Sequence, residues 1–326
     1  MSWSASIFDP ASPQAEAIQR LALLVLAITG LIFLVVEGVF IYVIVRFRQR
    51  AATGTLEPPQ VYGSKPIEIA WTAAPAIIVF ILTLVTTRTL WEVKTPPPHP
   101  RSKANALFVT VIGHQWWWEY LYEDYNGRKL GFMTANELHV PAGEAGQARP
   151  VYMALKSADV CHSFWVPKLA GKTDLIPGRT NQIVFQTDRP DLYVGQCAEY
   201  CGSQHANMLL RVVVEPPAEF ERWLTNEARP AVEDAGAREG KAAFLAQSCV
   251  NCHRVRGTPA DGSYAPDLTH LMSRRTLAAG MVANTPENLV RWIDAPGAIK
   301  PACLMPAFGL SDRDRNLIVD YLKTLR

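Results

Sequence analysis

Gly195-Gln-Cys197-Ala-Glu199-Tyr-Cys201-Gly-Ser-Gln-His205-Ala-Asn-Met208 gathers two thiols, an imidazole and a thioether into fourteen residues. Upstream, Asp159-Val-Cys161-His162-Ser-Phe-Trp165 offers a second imidazole. Such a soft set of sulfur and nitrogen donors favours copper over hard cations. A Cys197–Cys201 disulfide and a structural zinc site remain open readings. The first leaves His205 and Met208 without a role, and zinc seldom takes methionine. Cys161, beside His162, reads as a small buried hydrophobe, with a decoy copper ligand as the alternative; if the strand there is extended, it turns away from the face that His162 occupies.

The segments flanking this motif are short β-branched and aromatic runs separated by turn residues: Leu107 to Ile112, Val151 to Leu155, Gln182 to Gln186 and Leu209 to Val214. That rhythm predicts an antiparallel sandwich or barrel over residues 95–217, closed by Pro216 and Pro217. It begins at Thr95-Pro-Pro-Pro-His99, a run favouring extended polyproline geometry and hence a semi-rigid spacer. Residues 218–238 carry Pro230 and a charged, alanine-rich composition with no clear core face, and read as a linker with room for a short helix.

Working back toward the N-terminus, the texture changes again. Of 326 residues 49% are hydrophobic, but they are concentrated: Leu21 to Val45 holds one charge, Glu37, and Ile67 to Leu90 only Glu68 and Arg88. At 1.5 Å per residue the first run reaches about 37 Å, enough to cross a hydrocarbon core of ~30 Å with tilt. A signal peptide would have a shorter apolar region behind a basic start. The second run contains Pro75, tolerated in a membrane helix with satisfied neighbours. Residues 21–94 therefore read as a hairpin of two spans, about 21–45 and 67–90. The loop between them carries Arg46, Arg48, Arg50 and Lys65 against Glu57, so it faces the cytoplasm by the positive-inside rule. Residues 1–20 and everything beyond the second span then lie outside. This excludes a wholly soluble enzyme, and a net charge of +2 gives no reason to expect nucleic acid.

Residues 239–326 are helical at both ends, finishing with an amphipathic Asn316 to Leu325, and open on Cys249-Val-Asn-Cys252-His253. Two thiols on one helical turn can form thioethers to one haem, with the adjacent imidazole beneath the iron. The sixth ligand is expected late in the domain. Met305, stiffened by Pro306, is the best candidate, with Met272, Met281 and His270 competing. Cys303 stands two before Met305 and reads as a small hydrophobe. Residues 238–326 carry twelve basic against eight acidic side chains, residues 104–215 nine against eleven, so the two parts have opposite sign.

The copper motif, together with Gly113-His-Gln-Trp116-Trp117-Trp118 and Lys172-Thr-Asp174-Leu-Ile-Pro-Gly-Arg179, resembles subunit II of haem-copper cytochrome c oxidases. With the appended Cys249-to-His253 domain it is similar to the caa3 type, in which a cytochrome c is fused to that subunit. The resemblance implies a multidomain fold: a two-helix transmembrane hairpin, an all-β cupredoxin-like sandwich and an all-α class I cytochrome c domain. It implies that His162, Cys197, Cys201, His205 and Met208, with the Glu199 backbone carbonyl, hold a dinuclear CuA centre whose bridging thiolates share one electron over two metals. It assigns the Glu199 side chain to a magnesium ion at the boundary with subunit I, Trp116 to electron input, and Glu68 to the mouth of a proton pathway in subunit I.

The resemblance also implies an electron relay. Electrons pass from a cytochrome c or a quinol–cytochrome c reductase to haem c, held by Cys249, Cys252, His253 and Met305, then to CuA and to subunit I. There oxygen is reduced to water with proton pumping, so no catalytic residue belongs to this chain, although it is part of an oxidoreductase. Subunit III is a further expected partner, and the expected location is a bacterial inner membrane with both termini and both metal domains on the periplasmic side. The alternatives are the small subunit of a CuA-containing nitric oxide reductase and a copper-binding redox membrane protein without an oxidase partner. The haem motif and Trp116 argue against the second.

Overall fold

A computed structural model describes residues 5–48, 60–94, 105–144, 149–232 and 234–326. The Thr95–His99 spacer, and residues 49–59 of the basic loop, lie outside the described residues. The chain forms two units, residues 16–95 and the remainder.

The first unit contains helices α1 (Pro13–Arg46) and α2 (Lys65–Lys94), both longer than the expected spans. Their most apolar windows have no buried residues, so leucine, isoleucine and valine face outward all round. In water this would be prohibitive, and in a bilayer it is the expected surface. Both helices are long and apolar enough to cross a membrane. Arg20 of α1 meets Glu92 of α2 at 3.0 Å.

In the second unit ten strands make two five-stranded sheets. One has the order β3 (Arg128–Ala135), β2 (Trp117–Tyr125), β1 (Leu107–His114), β5 (Val151–Ser157), β8 (Asn181–Phe185). The other runs β4 (Glu137–Pro141), β10 (Leu209–Glu215), β9 (Asp191–Cys197), β6 (His162–Trp165), β7 (Thr173–Leu175). Pairing is antiparallel except for β1 with β5 and β4 with β10. Two-residue alternation sorts the side chains: on β2, Trp118, Tyr120 and Tyr122 are fully buried, whereas Trp117, Glu119 and Leu121 are not. With Tyr125, Phe132, Phe164 and Phe185 they form an aromatic-rich core between the sheets.

The stretch expected as a linker contains the short helix it left room for, but that helix does have a core face. Residues Pro217–Glu227 form helix α3, with Pro217 at its first position, and its Phe220 and Leu224 belong to the sandwich core. Trp223 stacks on His139 with ring centroids 4.3 Å apart. The helix thus has a core face made of only three residues. Five charged or amide neighbours hide it in the composition.

The C-terminal part contains α4 (Arg238–Ala246), the single turn α5 (Cys249–Cys252), a two-strand ribbon of Thr276–Leu277 with Val282–Ala283, α6 (Pro286–Asp294), α7 (Pro296–Ile299) and α8 (Asp312–Leu322). Thr285 and Ser311 cap α6 and α8 by accepting from the amides of Asn288 and Asp314. The first and last long helices, α4 and α8, cross at Gly240, where a Cβ would come within 2.2 Å of the Leu317 carbonyl oxygen. Only glycine permits that approach. Phe244, Leu289, Ile293, Ile318 and Leu322 fill the space around the crossing.

Candidate functional site

Strand pairing assembles the first donor set. Antiparallel pairing of β6 with β9 sets Phe164 opposite Cys197, which brings His162 beside Cys197 across 35 residues of chain. The loop after β9 returns through the turn His205–Asn207, and the Cys197 amide donates to the Met208 carbonyl at 3.0 Å. The donors converge: Cys197 Sγ is 3.8 Å from Cys201 Sγ and 3.9 Å from His162 Nδ1, while Cys201 Sγ is 3.7 Å from His205 Nδ1 and 3.8 Å from Met208 Sδ. The Glu199 carbonyl oxygen lies 3.2 Å from Cys197 Sγ, and the Glu199 side chain is exposed. His162, Cys197, Cys201 and Met208 are buried, His205 half-buried.

Surrounding groups hold these donors in place. Asp159 Oδ1 accepts from His162 Nε2 at 2.8 Å, which leaves Nδ1 facing Cys197. Burial pulls the His162 pKa down, but the bonds to Asp159 and Cys197 more than reverse it. The hydrogen bond from Cys201, opposed by burial and aided by His162, holds the Cys197 thiol far below the ordinary thiol range and pushes Cys201 up. Gln115 Nε2 and Trp116 Nε1 both donate to the Cys201 carbonyl, at 2.7 and 2.9 Å. At Gly113, a Cβ would lie 2.8 Å from His162 Cδ2, so a side chain there would displace the imidazole. Sequence reading missed the roles of Asp159 and Gly113. The only available signal is that Asp159 stands three residues before His162, one extended turn away.

Cys161 is exposed rather than buried. It stands just before β6 (His162–Trp165), next to the buried His162.

The second donor set surrounds a cavity of about 190 Å³ lined by Cys249, Cys252, His253 and Met305, and also by Trp116. His253 Nδ1 donates to the Pro266 carbonyl at 2.7 Å, leaving Nε2 as the free donor atom, and burial lowers the ring's pKa so that the neutral form prevails. The competitors for the opposite position stand elsewhere. Both nitrogens of His270 bond carbonyl oxygens, of Arg326 at 2.7 Å and Arg229 at 3.0 Å. Met272 packs on the helical core, and neither it nor Met281 lines the cavity. Cys303 is half-buried on the same wall, 3.6 Å from the Met305 carbonyl. Glu68 sits in the first turn of α2 and accepts from the Ser64 amide at 3.2 Å.

Both sets fit the groups the sequence implies. The first has the softness, burial and a carbonyl aimed at the sulfurs that copper needs. The second presents two thiols, a neutral imidazole held by its far nitrogen, and a thioether around one apolar space, as a covalent haem needs.

Comparison with known proteins agrees along the whole chain. The descriptions "Cytochrome C oxidase subunit II, transmembrane domain", "Cytochrome C oxidase subunit II, periplasmic domain" and "Cytochrome c" match residues 1–88, 107–216 and 237–326. Cytochrome c oxidase subunit 2 of Alkalihalophilus pseudofirmus is 32% identical over 321 residues, 98% of this chain and 90% of its own. The chain belongs to the cytochrome c oxidase subunit II family. The corresponding protein of Bacillus subtilis is 34% identical over 88% of this chain and 82% of its own length. Among solved structures, the periplasmic domain of subunit II of cytochrome oxidase from Bradyrhizobium japonicum is 29% identical over 37% of this chain and 92% of its own, with a TM-score of 0.34. The fused cytochrome c makes this the caa3-type form of the subunit. It is an electron-transfer subunit of a haem-copper oxidase, with a cupredoxin-like CuA domain, a haem c domain and a membrane hairpin, and it works with partner subunits.

Proposed function

We propose that this chain accepts electrons at its haem domain and delivers them through the sandwich to subunit I on the outer face of the membrane. His162, Cys197, Cys201, His205 and Met208, with the Glu199 carbonyl, hold the two coppers of CuA. Cys249 and Cys252 would attach the haem, and His253 and Met305 would bind its iron. When bound, these groups supply reversible one-electron chemistry.

The protein's part is to keep the donors fixed so that little moves when charge arrives. Asp159 locks the His162 ring and Pro266 the His253 ring. Gln115 and Trp116 tie down the Cys201 backbone. Trp116 touches both sites, its indole on Cys201 and its ring against the haem cavity, which supports its role in electron input. The exposed Glu199 carboxylate is free to bind magnesium at the boundary with subunit I, and exposed Glu68, at the cytoplasmic end of α2, serves the mouth of a proton pathway there.

In this reading both termini and both metal domains are periplasmic in a bacterial inner membrane. The Ala11 amide bonds the Lys168 carbonyl, Ser12 bonds the Leu169 carbonyl and Asp9 pairs with Lys168, which supports a common side for the N-terminal segment and the sandwich. Subunits I and III are the partners, with a cytochrome c or a quinol–cytochrome c reductase as donor.

The observation that carries the reading is the convergence of five soft side chains and one carbonyl beside a cavity bearing the haem-attachment motif. The full chain, expressed without the other subunits but with copper and haem maturation, should carry two coppers and one covalent haem. One copper, or zinc in its place, contradicts it.

A further inference from the structure

The sandwich and the helical domain meet along a seam without ion pairs among the described residues, despite their opposite net charges. Instead, hydrogen bonds join the two parts. The buried Glu137 carboxylate accepts from the Arg275 amide at 2.9 Å and from Thr276 Oγ1 at 2.8 Å. Arg211 of β10 donates to the Gly280 carbonyl at 3.3 Å.

At the centre of the seam stands Lys300, the residue that ends α7, only 3% exposed. Its ammonium has three N–H donors, and it reaches three carbonyls: Trp116 at 2.7 Å, Asn207 at 3.0 Å and Ala278 at 3.2 Å. None is a carboxylate. Burying a lysine without a counter-ion carries a desolvation cost that an apolar residue would not. That cost lowers the Lys300 pKa to about 8.

The positions of the three acceptors give the lysine its meaning. Trp116 caps the Cys201 carbonyl, Asn207 precedes Met208, and Ala278 lines the haem cavity together with Met305, five residues beyond Lys300. We infer that Lys300 is a positioning residue for the transfer of one electron from haem c to CuA, pinning the loop that carries Met305 to the loops that carry Trp116 and Met208. This rests on the ligand assignments above. Haem c is oxidised as CuA is reduced, and no proton or bond is exchanged at Lys300. The two hydrogen bonds that cross the seam, to Trp116 and Asn207, replace diffusional docking of the fused domain with one fixed geometry, and the third, to Ala278, holds the lysine within its own domain. They also make the seam insensitive to salt, since their acceptors carry no net charge.

The test uses the assembled oxidase. Lys300→Met keeps the length of the chain and removes the ammonium. Flash photoreduction of haem c should then show the haem c and CuA absorption bands intact, but electron transfer between them slowed by about tenfold or more, as expected from losing charge-assisted bonds. The slowed step should also respond to added glycerol, because the domain must now find its seat by motion through solvent. A wild-type arm does not depend on the variant folding. Under native reductive methylation Lys129, whose side chain is 80% exposed, should be modified early and Lys300 late. An unchanged transfer rate in Lys300→Met, or Lys300 methylated as fast as Lys129, overturns the proposal. Missing haem or copper bands in the wild-type complex would instead defeat the ligand assignments.

Discussion

Asp159 accepts the Nε2 proton of His162 at 2.8 Å, and by doing so fixes which imidazole nitrogen faces the sulfur of Cys197. The same carboxylate accepts from the Gln115 amide at 2.6 Å, so one side chain orients a copper donor and the loop that carries Trp116. Groups that hold a metal-bound histidine from behind typically contribute about 10–100-fold to metal affinity. Asp159→Ala should therefore still bind copper but lose it to a chelator about 10–100 times faster, the usual range for such partners. Copper retention equal to wild type would remove Asp159 from the site.

Met305 and His253 line the same cavity, and methionine ligation raises a haem potential relative to histidine. Met305→His should keep a low-spin haem at a markedly lower potential. Redox titration of the haem c band gives the answer, and an unchanged potential would show that Met305 is not a ligand.

Glu227, at the end of α3, is 4% exposed, and burial pushes its carboxyl up to about 7 against the attraction of Arg274, His139 and Arg256 and with the repulsion of Asp267. Between pH 4.5 and 7 the folded chain therefore keeps a proton that the unfolded chain releases. Stability falls as pH rises through that window, by on the order of 3 kcal/mol at most, and is level above it. Glu227→Gln should flatten this decline. Thermal midpoints of the two proteins at pH 5 and pH 8 should differ in slope, with the variant gaining at pH 8. Parallel slopes would mean that Glu227 is ionised in the fold throughout.

Much of this was legible because the residues involved carry their chemistry openly. The two spans declare themselves by uninterrupted apolar length, and Cys197 to Met208 and Cys249 to His253 by donor type and spacing. What stayed hidden depends on tertiary neighbours. The core face of α3 is three residues in one short helix, visible only once Trp223 is seen against His139. Nothing local to Lys300 says that Trp116, 184 residues earlier, supplies its acceptor. Nothing local in the sequence shows that the His162 ring occupies the space of Gly113's missing side chain.

The central claim is that electrons enter this chain at the haem domain and leave through the copper site. The direct measurement is anaerobic rapid mixing of the oxidised complex with a reduced donor, following the haem c and CuA bands together. The account predicts that haem c is reduced first and that CuA reduction follows as haem c is partly reoxidised. In a Cys249→Ser, Cys252→Ser chain without haem, the same donor should reduce CuA far more slowly. CuA reduced ahead of haem c, or at full speed in the haem-free chain, would contradict it.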